Sequence, residues 1–219
     1  MAKLVIFGAG DIGKIAHYYF SRDSQHEVVA FTVDKAYRKE DSFLSLPLVD
    51  FENVISLYPP GEFKMFIALS YAKMNKIRAS KYLEAKKLGY ELASYLSSRC
   101  INLSDHPIGD NCFILEDNTI QPFVKIGNNV TLWSGNHIGH DSCIDDHCFI
   151  ASQVVVSGRV HIHPYCFIGV NATLRNAIEI APETCIGAGA IIMKDTVEKG
   201  VYIPRRAELF AKKSDEIEL

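Results

Sequence analysis

Several features that would assign a chain quickly are missing from these 219 residues. Positive charge is not in excess: 23 Lys and Arg stand against 26 Asp and Glu, a formal net charge of −3. The footprint of nucleic-acid binding, which leans on Lys and Arg against phosphate, is therefore absent. No apolar run approaches the ~20 residues that cross a bilayer. The opening MAKLVIFGAGDIGK meets Asp11 without a small-residue cleavage site, so it reads as a strand and not as a signal peptide. Six cysteines contain no C-x-x-C pair. They read as small core fillers in a reducing compartment, with neither disulfides nor a metal site, and a cytoplasmic location is expected. With 48% apolar and 22% charged residues, intrinsic disorder, collagen-like repetition and a small disulfide scaffold are excluded. At roughly 150 residues per domain, the length allows one large domain or two small ones.

What is present falls into two grammars. Residues 1–97 alternate strand-like and helix-like segments. Lys3–Phe7 and Glu27–Val33 read as buried strands. Ile12, Ile15, Ala16 and Tyr19 recur at helical spacing. Lys64–Leu69 is a third strand, Lys73–Lys87 a helix stopping at Gly89, and 92–96 one more short strand. Such alternation predicts an α/β domain with a parallel sheet. Between β and α lies Gly8-x-Gly10-x-x-Gly13, with Asp34 twenty-one residues past Gly13. That is the setting of a dinucleotide fingerprint, where glycine lets the backbone approach a pyrophosphate at a helix N-terminus. About 95 residues make only half of a doubly wound dinucleotide domain, and no second domain for hydride transfer follows.

Over 98–219 the helical grammar disappears. From Ile108 to Ile192 an Ile, Leu or Val falls on every sixth residue, fifteen in succession, and the phase fails at Asn102 and Glu198. The residue two before each is usually small or β-branched, as at Cys112, Val124, Ser142 and Ala172. A period of six fits neither a helix nor a hairpin meander. It fits a hexapeptide solenoid with three units per 18-residue coil. Five coils at ~4.8 Å spacing make a prism about 25 Å tall.

With FGAGDIGK, GNHIGHDSCI, FIGVNATL and IGAGAIIMKD, the chain resembles the hexapeptide-repeat left-handed β-helix acyltransferases. In particular it resembles sugar O/N-acyltransferases of the sialic-acid O-acetyltransferase type, among them bacterial N-acetyltransferases of nucleotide-linked 4-amino-4,6-dideoxy sugars. The resemblance spans nearly the whole chain. It implies a left-handed prism, a Rossmann-like nucleotide-sugar domain, acetyl-CoA as co-substrate, a homotrimer, and a place in lipopolysaccharide or other surface-glycan biosynthesis.

Acyl transfer from a thioester needs a group to take the proton of the nucleophile, most often His. Of eight histidines, His140 follows the inward Ile138 by two and precedes Asp141. A carboxylate there orients the imidazole and raises its basicity. By resemblance to the family's I-x-H-[DE] segment, His140 is the general base and Asp141 its support. His137 suits corner packing or substrate contact; His147, His161 and His163 read as solvated or interface residues. Gly158, eighteen residues after His140, should stack one coil above it and offer an N–H to the oxyanion. By the same resemblance acetyl-CoA contacts come from Phe149, Val170 and Ala188, with Gly169 and Gly187 allowing close approach. Phe149 stands where relatives carry a second His, so its contact would be apolar. Gly10, Asp11 and Ile12 would face the nucleotide sugar, Asp34 the nucleoside, with Ser70 nearby. Arg205, Arg206, Lys212 and Lys213 form either a solvated face or contacts to CoA phosphates. Hexapeptide carbonic anhydrases use His ligands spaced five apart, a spacing missing from the repeat half, and no metal is expected. Sugar O-acetylation and a catalytically silent scaffold are the competing readings.

Overall fold

The structure, a computed structural model, describes residues 2–217. Its N-terminal half runs β1 (Ala2–Phe7), α1 (Asp11–Arg22), β2 (His26–Val33), β3 (Ser42–Phe43), β4 (Leu46–Asp50), α2 (Val54–Leu57), β5 (Phe63–Ile67) and α3 (Lys76–Lys87). The five strands form one sheet in the order β3-β4-β2-β1-β5, parallel except where β3 meets β4. Alternate residues of β1 face opposite ways, as the strand period of two requires. Leu4 and Ile6 pack with Ala16 and Phe20 of α1; Val5 and Phe7 pack with Tyr82 and Ala85 of α3. The two long helices therefore cover opposite faces. Helix α3 begins three residues later than its periodicity predicts, because Lys73, Met74 and Asn75 all take positive φ. Asn75 is buried there, its Nδ2 donating to the Cys166 carbonyl at 3.1 Å while its Oδ1 accepts from Arg78.

The second half is a prism of two-residue strands arranged in three parallel sheets of seven, six and four strands. Most ladder partners are 18 residues apart, as in Thr131↔Phe149↔Phe167 and His137↔Val155↔Thr173. The column of aliphatics fills the axis: apart from the partly buried Ile108, every member is 6% exposed or less. The small residues two positions earlier pack with them in the same core. Between strands, every sixth residue from Asn111 to Gly189 has positive φ, including Phe123, His147, Arg159 and Tyr165.

The ladders extend beyond the aliphatic column. Tyr95–Leu96 pairs with Phe113–Ile114, and Ile101–Asn102 with Thr119–Ile120. The short strand read at 92–96 thus belongs in part to the prism, whose first rung precedes residue 97. Asn102 stands in phase with Ile120 because the end coil is covered on one side only, and its Oδ1 accepts the Ser104 N–H. At the other end Val201–Tyr202 joins Cys185–Ile186 after a shortened coil.

The two halves share a core. Tyr95, Phe113, Leu115 and Trp133 pack in the same cluster as Leu4, Ile6, Phe20, Phe31 and Phe66. The buried Arg78 donates to Thr131 and to the Cys148 carbonyl, while Asn111 bonds the backbone of Ile67. Among the described residues, no helix is long and apolar enough to cross a membrane.

Candidate active site

A cavity of about 750 Å³ opens where β1, β2 and β5 end. The chain leaves β1 toward β2 on one side and returns through β5 on the other, so the loops diverge at this point. Open α/β sheets bind ligands in such a crevice. Gly10, Asp11, Ile12, Asp34 and Ser70 all line it, joined by Tyr37, Tyr71 and Lys81. The glycines serve different ends. Gly8 has φ +118°, and a Cβ there would meet the Ala68 carbonyl oxygen at 2.6 Å; one at Gly13 would meet the Gly8 oxygen at 2.0 Å. Around Gly10 the space is open. Gly10 caps α1 with no side-chain bond, which leaves the first amides of the helix aimed at the cavity and suited to an anion.

Asp34 is not free in this cavity. Its Oδ1 lies 2.6 Å from Lys81 Nζ, which also pairs with Glu84. Burial opposes the charge on Lys81, but the two carboxylates outweigh it and hold the amine above its usual value. Sequence reading missed Lys81 because its partner is 47 residues away.

His140 and Asp141 stand on a prism edge between the six-stranded and four-stranded sheets. His140 Nδ1 is 2.7 Å from Asp141 Oδ2, and both side chains are about half exposed, 51% and 47%. Neighbours along an extended strand point to opposite faces. Here Asp141 is a corner residue with φ 57°, which turns its carboxylate back onto the ring. With the Nδ1 proton donated to Asp141, the Nε2 lone pair is free. Gln121, from the coil below, accepts the His140 N–H through Oε1 at 2.9 Å. Gly158 does stack against His140: a Cβ on it would lie 2.6 Å from Nε2. Among the described residues the Gly158 N–H meets no acceptor.

The residues expected to hold the cofactor are divided. Gly169 with Val170, and Gly187 with Ala188, follow the rungs Phe167–Ile168 and Cys185–Ile186 and stack on a different edge of the prism, between the seven- and six-stranded sheets. The space over Gly169 is filled by the next coil, since a Cβ there would lie 2.6 Å from the Ala188 nitrogen. Phe149 departs from expectation. It is 4% exposed, with Tyr71 against one side and the Arg78 guanidinium over its ring. Packing of the N-terminal half onto the seven-stranded sheet closes it to a cofactor. One chain therefore does not bring His140 and the Val170–Ala188 edge together.

Of three other histidines read as solvated or interface residues, one differs from that reading. His147 is buried between Tyr82 and Tyr165, and its Nδ1 accepts from Asn129 Nδ2 at 2.9 Å. Burial holds its pKa down. His161 and His163 are linked to Asp145 and Glu179. Arg205, Arg206, Lys212 and Lys213 are exposed along the C-terminal tail.

Fold and site together define a class: an α/β domain with a loop-lined cavity, set on a parallel β-helix of six-residue units. The bacterial transferase hexapeptide model (six repeats) matches residues 108–139 and 124–158, within the prism. No curated protein sequence matches the chain. Solved structures do match in fold. The acetyltransferase domain of PglB from Neisseria gonorrhoeae is 20% identical, with a TM-score of 0.76 over 92% of this chain and 96% of that one. PerB from Caulobacter crescentus, solved with CoA and GDP-perosamine, is 20% identical, with a TM-score of 0.80 over 92% and 93%. WeeI from Acinetobacter baumannii is 20% identical, with a TM-score of 0.75 over 92% and 94%.

Proposed function

We propose that the protein transfers an acetyl group from acetyl-CoA to the amino group of a nucleotide-linked amino-deoxy sugar, in surface-glycan assembly. The observation that carries this reading is the His140–Asp141 pair, 2.7 Å apart, with Nε2 free beside Gly158. The similarity in fold to PerB, solved with CoA and GDP-perosamine, supports the donor and the acceptor class.

In this reading His140 Nε2 takes a proton from the amine as its nitrogen bonds to the thioester carbonyl carbon. Asp141 holds the ring and stabilises the imidazolium. The oxyanion of the tetrahedral intermediate accepts from the Gly158 N–H. As the C–S bond breaks, the imidazolium returns its proton to the CoA sulfur. An amine of pKa about 8 is partly neutral at pH 7, so it demands less of His140 than a hydroxyl does.

The N-terminal unit acts as a Rossmann-like platform: the amides of Gly10, Asp11 and Ile12 meet the pyrophosphate, while Asp34 and Ser70 meet the nucleoside side. The prism is left-handed and trimeric, and works in the cytoplasm. A second prism's Val170–Ala188 edge then closes the groove beside His140. An apolar strip on the six-stranded face, with Ile101, Leu103, Val155, Ile191 and Met193 all exposed, supports burial against further copies. Sedimentation as a monomer overturns the trimer.

The test is thiol release from acetyl-CoA against UDP-, dTDP- and GDP-linked amino sugars. Release with an amino sugar, and none with its hydroxyl counterpart, is the expected result. Acetylation of the hydroxyl counterpart instead establishes the O-transfer reading, and no release with any acceptor overturns acetyl transfer to nucleotide sugars.

A further inference from the structure

The four-stranded face carries a cluster that acetyl transfer does not use. Its rungs Cys143–Ile144, His161–Ile162 and Glu179–Ile180 are successive partners, in the register Cys143↔His161↔Glu179. The isoleucines point to the axis, so the residues on either side of each point outward. The H-x-H segment of His161 and His163 thus stands two imidazoles side by side, with ring centroids 4.0 Å apart.

Both rings are held between two carboxylates. Glu179 Oε2 lies 3.3 Å from His161 Nδ1 and 2.9 Å from His163 Nε2. Asp145 Oδ2 lies on the other side, 2.9 Å from His161 Nε2 and 3.6 Å from His163 Nδ1. A neutral imidazole has one N–H to donate. Each neutral ring therefore keeps one nitrogen lone pair that a metal can bind. His161 Nδ1 and His163 Nε2 lie 3.3 and 2.9 Å from Glu179 Oε2, and one ligand atom from each of the three residues falls within 4.8 Å of the others, close enough for a metal with bonds of about 2.0–2.2 Å to draw them together.

We propose a binding site for a divalent transition metal of the zinc class at His161 Nδ1, His163 Nε2 and Glu179 Oε2. Asp145 accepts the Nε2 proton of His161 and fixes its orientation, the usual partner of a ligating imidazole. The fourth position faces solvent. Cys143 stays outside the ligand set: its Sγ donates to Asp145 Oδ1 at 3.4 Å, and burial pushes the thiol up to about 11. The site departs from the expectation of a metal-free protein. Sequence spacing missed it because the ligands gather from successive coils.

The experiment is metal analysis of the full chain without a histidine tag, stripped with chelator and dialysed against zinc. One zinc per chain is expected, retained by His140→Asn and lost by the double variant His161→Gln, His163→Gln. Asp145→Asn should weaken binding roughly 10- to 100-fold. Cobalt in place of zinc should give the intense visible bands of a four-coordinate site. If the double variant does not fold, as judged by circular dichroism, Glu179→Gln takes its place, since that side chain is exposed, and it should lose the zinc. Zinc well below one per chain, zinc kept without these ligands, or zinc lost with His140 overturns the proposal.

Discussion

In the N-terminal half, β1 and β2 run six and eight residues and the sheet is covered by helices on both faces; in the prism no strand exceeds two residues and the sheets cover one another. The first arrangement leaves loops diverging at the ends of β1, β2 and β5, and a cavity of about 750 Å³ opens there. The second closes its axis completely and leaves its polar side chains to its corners and outer faces. Each corner holds one residue in the left-handed region, often not glycine, at a typical cost of about 1–3 kcal/mol that the surrounding ladder must offset. At Asp141 the same backbone state that turns the coil also aims a carboxylate at His140. A cavity comes from irregularity, a His–Asp pair from repetition.

The sharpest break between the halves is His140→Asn. It should lower the acetyl-transfer rate by roughly 10²–10⁴ and leave the affinity for the nucleotide sugar, measured by calorimetry, unchanged. A comparable fall in affinity would mean that the corner and the cavity are not separate sites.

Ile150→Ala removes one member of the axial column, fully buried in the structure, and should cost about 2–5 kcal/mol. Because Phe113, Leu115 and Trp133 pack with the core of the first half, urea unfolding should remain a single transition. Two separate transitions would show that the shared core does not couple them.

Gly8 and Gly10 test the first half. Gly8→Ala places a Cβ at φ +118° against the Ala68 carbonyl and should cost about 1–3 kcal/mol. Gly10→Ala, with open space around it, should stay within about 0.5 kcal/mol of the parent in stability while weakening nucleotide-sugar binding. Equal destabilisation by both would remove Gly10 from the ligand surface.

The smallest effect is in pH. Burial holds His147 below the ordinary histidine value, as it does His17 and His26 in the first half. The unfolded chain then binds more protons, so stability rises with pH in this range. The contribution is complete above about pH 6.5 and is lost as pH falls through the folded values. His147→Gln should flatten, not abolish, the drop in urea midpoint between pH 7 and 5.5, because His17 and His26 remain. An unchanged slope would mean that His147 does not contribute.

The prism was the more legible half, because a column at fixed spacing needs no knowledge of its partners. Its ends were less so: Leu96 and Asn102 occupy in-phase rungs, but an end coil exposed on one side tolerates asparagine. In the first half, helix α3 starts at Lys76 because Asn75 is claimed by a carbonyl 91 residues away, a demand with no local trace. Phe149 was misread for the same reason. Its position in the repeat marks it as outward, and only the docking of Tyr71 and Arg78 buries it.

The sequence by itself determined the period of six, the division into two grammars, the glycine loop and the adjacency of His140 and Asp141, since each is set by neighbours along the chain. Tertiary structure decided what each outward residue faces. The coil brings together residues 16 and 18 positions apart, as in Asp145 with His161 and His140 with Gly158, and the first half covers one sheet of the prism and leaves the other two open. Periodicity fixes which way a side chain points; only packing fixes what it meets.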